Sequence, residues 1–581
     1  MNGVLTRLAG RLRTGDLVTA VSRLLALACL VGLVGMLPWL SGKDPALTIL
    51  RATSSDREPT PEVLDSIRKS IGIDGGPLHV IGHWLAGVAR GDLGRSWVSG
   101  ADVGPDAVDA FGVSLSLMAA ALGVGVIVAA ALVLPALRDG LRGRPRPRGG
   151  AASAVLISLP EYLLAPILML VLAVYLRILP PFGWGSPEKV IMPALSLGLP
   201  TGGYLGGLVS DAVTATFSER WVATWSTAGI RGRTLAGAVL RRALAPLTGQ
   251  VALVVVALTG GAVAVEKIFA IPGLGRELLD AASAQDVPAL QAQILLLLAL
   301  ALAAGVIAGA ARHLLMGRAA GAGGLTAPPP VEHPGWAARV IAVSGAALLA
   351  LMVAVGIRRD PYAVVADKLA QPSAALPLGA DSLGRDVLAR VAHGAVSTVS
   401  GAVIVTVVCF VIAMLVGLAP RAATGFIEVA NAAPPVLAGL IVAGVSRPSA
   451  TGAAIAVAGV GWAPLASHAA GLVAENRQRP DVLLAPVLGE GRVRITLTRV
   501  LPAVVGPLAR HAALRLPGKA LALAALGFLG LGAQSPAPEW GLVLSDALPY
   551  IERAPWAVAT PAAALVVLSM TSVAASRSMR R

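Results

Sequence analysis

Two stretches, GDLGRS at Gly91–Ser96 and DSLGRD at Asp381–Asp386, carry nearly the same phrase at corresponding places along the chain. Each follows the first long apolar block of its half of the sequence, and each leads into a further apolar block with no charge for over twenty residues. Self-similarity of this kind predicts two membrane-embedded halves joined head to tail, which is a common plan for transport pathways.

The composition is that of an integral membrane protein. Of its 581 residues, 56% are hydrophobic and only 14% are charged, and the mean hydropathy is +0.76. A soluble domain needs more charge than this to cover its surface. The net charge of +15 comes mostly from arginines in short loops between apolar blocks, which is a positive-inside pattern and argues against a nucleic-acid partner. Cys29 and Cys409 lie within apolar blocks, so neither a disulfide nor a metal framework is predicted.

Twelve apolar blocks approach or exceed the roughly 20 residues that a membrane span needs. They are 17–40, 111–137, 151–176, 189–210, 246–265, 288–311, 337–357, 396–419, 425–445, 452–474, 503–527 and 557–575. The first follows several arginines and has no small-x-small cleavage site after it, so it is predicted to be an uncleaved span. The Gly- and Pro-rich stretch 312–334 predicts a linker between a first half, 1–311, and a second half, 335–581.

Loop charges predict one orientation for these spans. With the N-terminus in the cytoplasm, the arginine-rich segments 138–150, 212–245 and 475–502 are all cytoplasmic, and so is the C-terminus. The long segment 41–110 then lies outside, with seven Lys/Arg against ten Asp/Glu. The sequence therefore predicts a multi-pass protein with both termini in the cytoplasm.

Two of the cytoplasmic loops share a pattern, and we call Glu219–Pro246 the first loop and Asp481–Pro502 the second loop. In each, a helical stretch breaks at a glycine, continues with arginines, and meets a proline as the next membrane helix begins. The residues are Gly229, Arg231, Arg233 and Pro246 in the first loop, and Gly489, Arg492, Arg494, Leu501 and Pro502 in the second. The pattern predicts a helix–turn–helix that projects below the membrane; the alternative is an ordinary basic loop that anchors the topology.

Longer phrases accompany the repeat in both halves. The first half carries Lys189–Leu195, Val265–Arg276 and Asp286–Pro288, and the second half carries Pro377–Leu388, Leu526–Gly532 and Pro538–Gly541. With these phrases the chain resembles, over nearly all of 17–575, the paired permease subunits of ABC importers of the dipeptide/oligopeptide/nickel class. The resemblance implies an all-α membrane protein with a type I ABC importer transmembrane fold, in which two tandem six-helix halves, about twelve helices, form the whole pathway.

The same resemblance implies partners. In that family the cytoplasmic loops hold a coupling helix that docks on an ATPase subunit, and Gly229, Gly489 and the pair Leu501–Pro502 match its pattern. We therefore expect two ATPase subunits, which use ATP and Mg²⁺, on the cytoplasmic side and a solute-binding protein outside. The chain has no phosphate-binding loop of its own. It is expected to be a permease rather than an enzyme and to bind no cofactor.

The two loops also depart from the family pattern just before their glycines, where alanines and an acidic residue are usual. The residues found there are Ala223, Trp225 and Thr227 in the first loop and Leu483, Leu484 and Pro486 in the second. These departures predict an unusual docking surface, which either suits a particular ATPase or weakens the coupling.

Two carboxylates lie inside apolar blocks. Because charges within the membrane normally face protein or a water-filled cavity, Glu161 and Glu428 are candidate contacts in the substrate pathway. A helix-end or packing role is the alternative for both. His79 and His83 are spaced four apart but have no glutamate between them and no further ligand, so no metal site is predicted.

The sequence thus predicts a lipid-embedded permease of the bacterial inner membrane, importing peptides or related small solutes, with nickel or metal chelates as other cargo. A secondary transporter with two parallel repeats and a non-transporting membrane scaffold are the alternatives.

Overall fold

A computed structural model describes most of the chain. The described residues are 14–40, 46–47, 49–50, 58–70, 76–145, 150–316 and 336–578. Within them the chain is almost wholly helical, with isolated β-bridges and no β-strand. Most of the predicted linker 312–334 lies outside the described residues, so its role as a tether stays a prediction.

The helices before the linker include short ones and long, apolar ones. Their bounds are Thr14–Gly35, Leu37–Leu40, Pro61–Ser70, Pro77–Ala89, Val103–Leu141, Gly150–Ile157, Glu161–Leu168, the π-helical Met169–Tyr175, Pro187–Phe217, Arg220–Thr227, Gly232–Leu244, the 3₁₀ turn Ala245–Leu247, Thr248–Phe269, Leu274–Ala284 and Val287–Met316.

The helices after the linker follow a similar order. Their bounds are Trp336–Gly356, Val387–Gly417, Pro420–Ala432, Pro435–Val445, Ala450–Gly461, Ala463–Arg477, Pro480–Leu484, Arg492–Ile495, the π-helical Thr496–Val500, Leu501–Leu529, Trp540–Ala547, the 3₁₀ turn Leu548–Tyr550 and Pro555–Ser578.

Each of the twelve predicted blocks coincides with helix, but they do not make twelve simple spans. The described residues contain nine helices long and apolar enough to cross a membrane, or ten if a pair bent by 89° between 431 and 435 is one span. The third block is interrupted before Pro160, whose extended backbone and missing N–H end the preceding helix. The fourth block forms the long helix Pro187–Phe217, which is less apolar than the others.

The chain forms two compact units, and each draws on both halves of the sequence. Unit 1 comprises Met1–Gly104, Ala281–Ala292 and Val396–Gln534. Unit 2 comprises Pro105–Asp280, Gln293–Ala395 and Ser535–Arg581. The predicted boundary at 312–334 therefore divides the sequence, while packing within each unit joins segments from either side of it.

In unit 1 the first helix, Thr14–Gly35, packs closely on Pro420–Ala432. Ser22 donates its hydroxyl to the Ala422 carbonyl at 2.6 Å and accepts the Gly425 N–H at 3.0 Å. A Cβ at Gly425 would lie 2.3 Å from the Ser22 carbonyl oxygen, so only glycine permits this approach. Small residues at such crossings are how membrane helices gain packing contacts.

In unit 2 a similar contact between a serine and glycines joins Gly150–Ile157 to Pro187–Phe217. Ser153 donates its hydroxyl to the Gly203 carbonyl at 2.8 Å, and both Gly203 and Gly207 lie where a Cβ would collide with the facing helix. Gly203 and Gly207 thus bring the two backbones together. The contact holds Gly150–Ile157 against the helix that leads into the first loop.

Candidate functional site

The first repeated phrase folds onto the start of the last helix of its half, within unit 1. The Ser96 hydroxyl donates to one Asp286 carboxylate oxygen, and the Trp97 N–H donates to the other at 3.1 Å. Asp286 immediately precedes the helix Val287–Met316. Two phrases some 190 residues apart in sequence are therefore joined by one carboxylate.

The second repeated phrase makes a related arrangement within unit 2. Trp540 donates its indole N–H to the Val391 carbonyl at 2.7 Å and is fully buried. A Cβ at Gly394 would lie 2.2 Å from the Pro538 carbonyl oxygen. The helix that follows Asp381–Asp386 is thus packed on the phrase Pro538–Gly541, where Glu539 caps the helix Trp540–Ala547.

The two phrases have the same local geometry. Gly94 and Gly384 both have a positive φ, 90° and 82°. Ser96 accepts the N–H groups of the residues two and three positions on, at 3.2 and 3.0 Å, and Asp386 does the same at 2.8 and 3.4 Å. Because glycine adopts positive φ without strain, the shared glycine explains why both halves keep the phrase. The predicted repeat is present in the structure.

A charged cluster surrounds the second phrase. Arg390 is 1% exposed, and its guanidinium lies 3.6 Å from the carboxylates of both Asp381 and Asp546. Asp381 is also bound by Arg385 at 2.7 Å, and Arg359 pairs with Asp386 at 2.7 Å. Burial raises the pKa of the Asp546 carboxyl, while the nearby Arg390 opposes that rise. The cluster fixes the N-terminal end of the helix Val387–Gly417 to the segment before the last helix.

The phrase Val265–Arg276 closes around one buried carboxylate. Glu266 is fully buried, accepts the Ser114 hydroxyl at 2.5 Å and accepts the Arg276 N–H at 3.0 Å. A Cβ at Gly273 would lie 2.4 Å from this carboxylate. The glycines of the phrase are therefore needed so that the backbone can wrap the glutamate, which makes Glu266 a positioning residue for this loop.

A second carboxylate near this loop is perturbed. Burial, together with Asp106, Asp280 and Asp109, raises the pKa of Glu277 to about 7, while the Gln293 amide at 3.5 Å opposes the rise. Glu277 lies on Leu274–Ala284, outside the spanning helices. Its carboxyl therefore changes charge near neutral pH.

The first loop breaks as its pattern predicts. The helix Arg220–Thr227 ends before Gly229, which has φ of 82°, and the Ile230 N–H bonds the Trp225 carbonyl at 2.9 Å. This is the glycine-terminated helix end in which the N–H beyond the glycine reaches back five residues. Val222 and Leu235 are buried in an apolar cluster with the membrane helices of unit 2.

The second loop repeats this geometry 260 residues later. Gly489 has φ of 82°, and the Glu490 N–H bonds the Ala485 carbonyl at 3.1 Å. Val482 and Ile495 are buried at the positions equivalent to Val222 and Leu235. Glu490 is paired with Arg499 at 2.5 Å, and that guanidinium lowers the pKa of the Glu490 carboxyl.

The four arginines that follow the loop glycines point away from the packed surfaces. Arg231, Arg233, Arg492 and Arg494 are all exposed, and they flank or begin the helices that enter the membrane. The assignment of these residues to ATPase docking stays a prediction.

Both prolines lie in the first turn of a helical element, as the sequence predicts: Pro246 in the 3₁₀ turn Ala245–Leu247 and Pro502 as the second residue of Leu501–Leu529. Each of these elements also continues the helix before it. The helix that contains Pro246 is continuous from Gly232 to Phe269, and the one that contains Pro502 is continuous from Arg492 to Leu529. A 3₁₀ turn at Ala245–Leu247 and a π-helical turn at Thr496–Val500 absorb the missing proline N–H groups. The arginines thus belong to the membrane helices themselves.

The two candidate pathway carboxylates occupy different settings. Glu161 begins the helix Glu161–Leu168 and lies against Gly261, where a Cβ would come 2.7 Å from its carboxylate oxygen. Glu428 makes a two-point pair with Arg23, at 2.7 and 2.8 Å. The structure thus assigns Glu428 an intramolecular partner, and a role in the pathway stays a prediction for both residues.

Sequence reasoning missed Glu266 and Arg390 as individual residues. Glu266 lies inside the phrase Val265–Arg276 and Arg390 lies just after the phrase Pro377–Leu388, yet neither was singled out. The signal available was an ionisable residue at the edge of a long apolar block, which normally requires a buried partner.

The helices, the internal repeat and the paired loops define a multi-pass all-α membrane protein built from two related halves. The family described as "Binding-protein-dependent transport system inner membrane component" matches the chain twice, at residues 150–319 and 406–579. These matches cover more than half of the chain, which therefore belongs to that family. It is a membrane permease of an ABC transporter and not an enzyme.

Relatives of known function each correspond to part of the chain. The peptide transport system permease protein SapC of Escherichia coli O6:H1 is 31% identical over 268 residues, 41% of this chain and 89% of that protein. The glutathione transport system permease protein GsiC of Salmonella choleraesuis is 32% identical over 306 residues, 51% of this chain and 91% of that protein. The di/tripeptide permease DppC of Pseudomonas aeruginosa is 35% identical over 192 residues, 32% of this chain and 63% of that protein.

These proportions explain the internal repeat. Relatives that match about half of this chain or less are themselves matched over about nine-tenths of their length. Together with the two family matches, this identifies the chain as a fused pair of permease subunits in the inner membrane.

Proposed function

We propose that the chain forms the complete translocation pathway of an ATP-driven importer and couples it to two separate ATPase subunits through the first and second loops. The observation that carries this proposal is the repeated loop geometry. Each loop ends a short helix at a positive-φ glycine and returns directly into a continuous membrane helix of 38 residues. A push on the short helix is therefore delivered to a rigid element that crosses the membrane.

The surface of the second loop supports a docking role. Leu483, Leu484, Val487 and Leu488 are all exposed, with Val487 82% exposed and Leu488 75% exposed. A contiguous apolar patch beside charged residues is typical of a protein–protein contact. Trp225 is the comparable exposed side chain in the first loop. Leu483, Leu484 and Trp225 are also positions at which the sequence departs from the family pattern, so these departures would suit a particular partner surface.

The cargo is proposed to be peptides or related small solutes, because the relatives are named as peptide, di/tripeptide and glutathione permeases. Nickel and metal chelates are the alternative cargo. A solute-binding protein would dock outside on the segments around 41–110, 266–288, 358–395 and 533–556, and both termini would be cytoplasmic. ATP and Mg²⁺ would be used by the ATPase subunits, with no cofactor held by this chain.

The test is affinity purification of the tagged chain from its native membrane, followed by assay of ATP hydrolysis. We expect an ATPase to co-purify and a Val487→Glu, Leu488→Glu double variant to lose it, because two charges would replace the apolar patch. A Leu483→Met variant, which keeps an apolar side chain of similar size, is the control. Solute uptake driven by an ion gradient without any ATPase would favour the secondary-transporter alternative, and neither activity would favour the scaffold.

A further inference from the structure

One face of the membrane helix Leu501–Leu529 carries a line of basic side chains that the coupling mechanism does not use. His511, Arg515 and Lys519 are spaced four residues apart. At about 100° per residue these positions fall within an arc of about 80°, and they extend over about 12 Å of the helix. We call these three residues, with His468 from the helix Ala463–Arg477, the basic row.

Contacts within unit 1 hold the basic row in one arrangement. The rings of His468 and His511 are stacked, with centroids 4.2 Å apart and an angle of 26° between the planes. Arg515 donates from Nε to His511 Nε2 at 3.0 Å. The His511 ring accepts this bond through Nε2, so it is neutral, and the guanidinium plane is fixed against it.

Lys519 is enclosed among helices at the inner end of the row. Its side chain is buried, 5% exposed. A Cβ at Gly461 would lie 3.5 Å from its Cε and 3.3 Å from Cys409 Sγ, so the lysine stem lies beside the last residue of Ala450–Gly461, which also faces the helix Val387–Gly417. The ion pairs found among the described residues include neither Lys519 nor His468. A buried ammonium without a carboxylate is costly unless an anion reaches it.

Membrane topology does not account for Lys519. An exposed arginine near the predicted cytoplasmic end of a span, such as Arg510, satisfies the positive-inside pattern. Lys519 lies ten residues before the helix end at Leu529, which is about 15 Å, or half the hydrocarbon thickness. Ionisable residues at that depth normally line a substrate path.

We propose that the basic row binds the carboxylate of the transported solute as it passes through the membrane. This inference rests on the proposed function as a permease. The row passes from exposed Arg515 to enclosed Lys519, so it offers a planar guanidinium at its accessible part and a point charge deeper in. Guanidinium groups recognise carboxylates with two parallel hydrogen bonds, and an ammonium adds charge without fixed geometry. The class of solute is therefore one that carries a carboxylate, as every peptide with a free C-terminus does.

The test compares two compounds that differ only in that group. The full chain is reconstituted in phosphatidylcholine nanodiscs, and dissociation constants for dialanine and for dialanine amide are measured by calorimetry at pH 7. We expect the amide to bind at least about tenfold more weakly, a difference of about 1.4 kcal/mol. Equal affinities, or binding of neither compound, would overturn the proposal.

Variants test whether the basic row causes the tighter binding of dialanine than of dialanine amide, which we call the preference. Lys519→Met keeps the length and the apolar stem while removing a buried charge, and Arg515→Gln changes an exposed position; each should bring the two dissociation constants together. Arg510→Gln removes an equal charge from another face of the same helix and should keep the preference. Retention of the preference in both row variants would overturn the proposal.

Two further arms distinguish binding of the solute from binding of a lipid headgroup and from coupling to ATP. Adding phosphatidylglycerol to the nanodiscs should leave the preference unchanged; its loss would assign the row to a lipid headgroup and overturn the proposal. The binding measurement needs no ATPase. An ATPase that co-purifies with a chain lacking the preference contradicts this inference alone, whereas a preference without an ATPase supports it and contradicts only the ATP coupling.

Discussion

At the scale of single residues, Glu277 makes the stability of unit 2 depend on pH. Its neighbours are Asp106 and Asp109 from Val103–Leu141, Asp280 from its own helix and the amide of Gln293. Their negative charge and burial hold the pKa of Glu277 at about 7, above the usual value for a glutamate. The folded protein therefore keeps a proton that the unfolded chain releases at lower pH.

The stability of the folded chain is therefore expected to fall as the pH rises. The stabilising contribution is fully present below the unfolded pKa of about 4.3 and is lost as the pH rises through about 7. We expect the melting temperature of the purified chain in detergent to fall between pH 5 and pH 8, and Glu277→Gln to remove about 1–3 °C of that fall. Glu188→Gln, at an exposed glutamate, is the control. An identical fall in Glu277→Gln and the wild type would contradict this interpretation.

At the scale of elements, the two glycine breaks are the parts on which coupling depends. At Gly229 and Gly489 a Cβ would meet no atom within 4 Å, so the only obstacle to substitution is the positive φ of 82°. A β-branched residue there costs about 1–3 kcal/mol of backbone strain. The strain is relieved when the short helix shifts, which displaces the docking surface without disturbing the core.

We predict that Gly229→Val lowers coupling, measured as uptake per ATP hydrolysed in the purified complex, by about five- to hundredfold. Gly489→Val should have a smaller effect, because the second loop departs further from the family pattern. Gly237→Val is the matched control, since Gly237 also has open space around it but has no positive φ. Normal coupling in both variants would show that these loops do not transmit the stroke and would favour a secondary transporter.

The loops also show what the sequence could predict and what it could not. The break at Gly229 follows from local chemistry, because positive φ favours glycine wherever the fold places it. Pro246 and Pro502 lie in the first turn of a helical element, as predicted, but the 3₁₀ and π-helical turns that join these elements to the helices before them have no clear signal in sequence. Glu266 and Lys519 could not be assigned, because Ser114, which bonds Glu266, and Gly461, which lies beside Lys519, come from elements distant in the chain.

The same distinction applies to the spans. Apolar length predicted where helices lie, since the hydrocarbon thickness sets it. It did not predict the interruption before Pro160 or the 89° bend between 431 and 435, because each depends on how the backbone is satisfied by neighbouring helices. Nine or ten helices among the described residues qualify as spans by length and composition, and the all-α plan with two halves was correct.

At the scale of the whole molecule, the predicted orientation is open to a direct test. Arg144 belongs to an arginine-rich loop predicted to be cytoplasmic, and Glu552 to a segment predicted to be outside. We expect Glu552→Cys to react with a membrane-impermeant maleimide in intact spheroplasts and Arg144→Cys to react only after permeabilisation. The wild type, with Cys29 and Cys409, supplies the background. Labelling of Arg144→Cys from outside would reverse the topology.

The fusion itself leads to the last prediction. If the stretch 312–334 is only a tether, a gene cut there and expressed as two halves should retain transport. The compact units make this a demanding assembly, because unit 1 contains the helix Thr14–Gly35 of the first half packed on Pro420–Ala432 of the second. Covalent linkage supplies a high effective concentration for this contact, and the separate halves must form it by their own affinity.

A substitution where Thr14–Gly35 packs on Pro420–Ala432 should affect the separate halves more than the intact chain. Gly425→Leu would force a side chain against the first helix, because even a Cβ at this position would lie 2.3 Å from the Ser22 carbonyl oxygen. We expect it to abolish co-purification of the separate halves while reducing transport by the intact chain only in part, because the linker keeps the helices together. Gly459→Leu, where a Cβ meets nothing within 4 Å, is the matched control. Normal recovery of both halves with Gly425→Leu would mean that other contacts hold them together, and the linker would then contribute little to assembly.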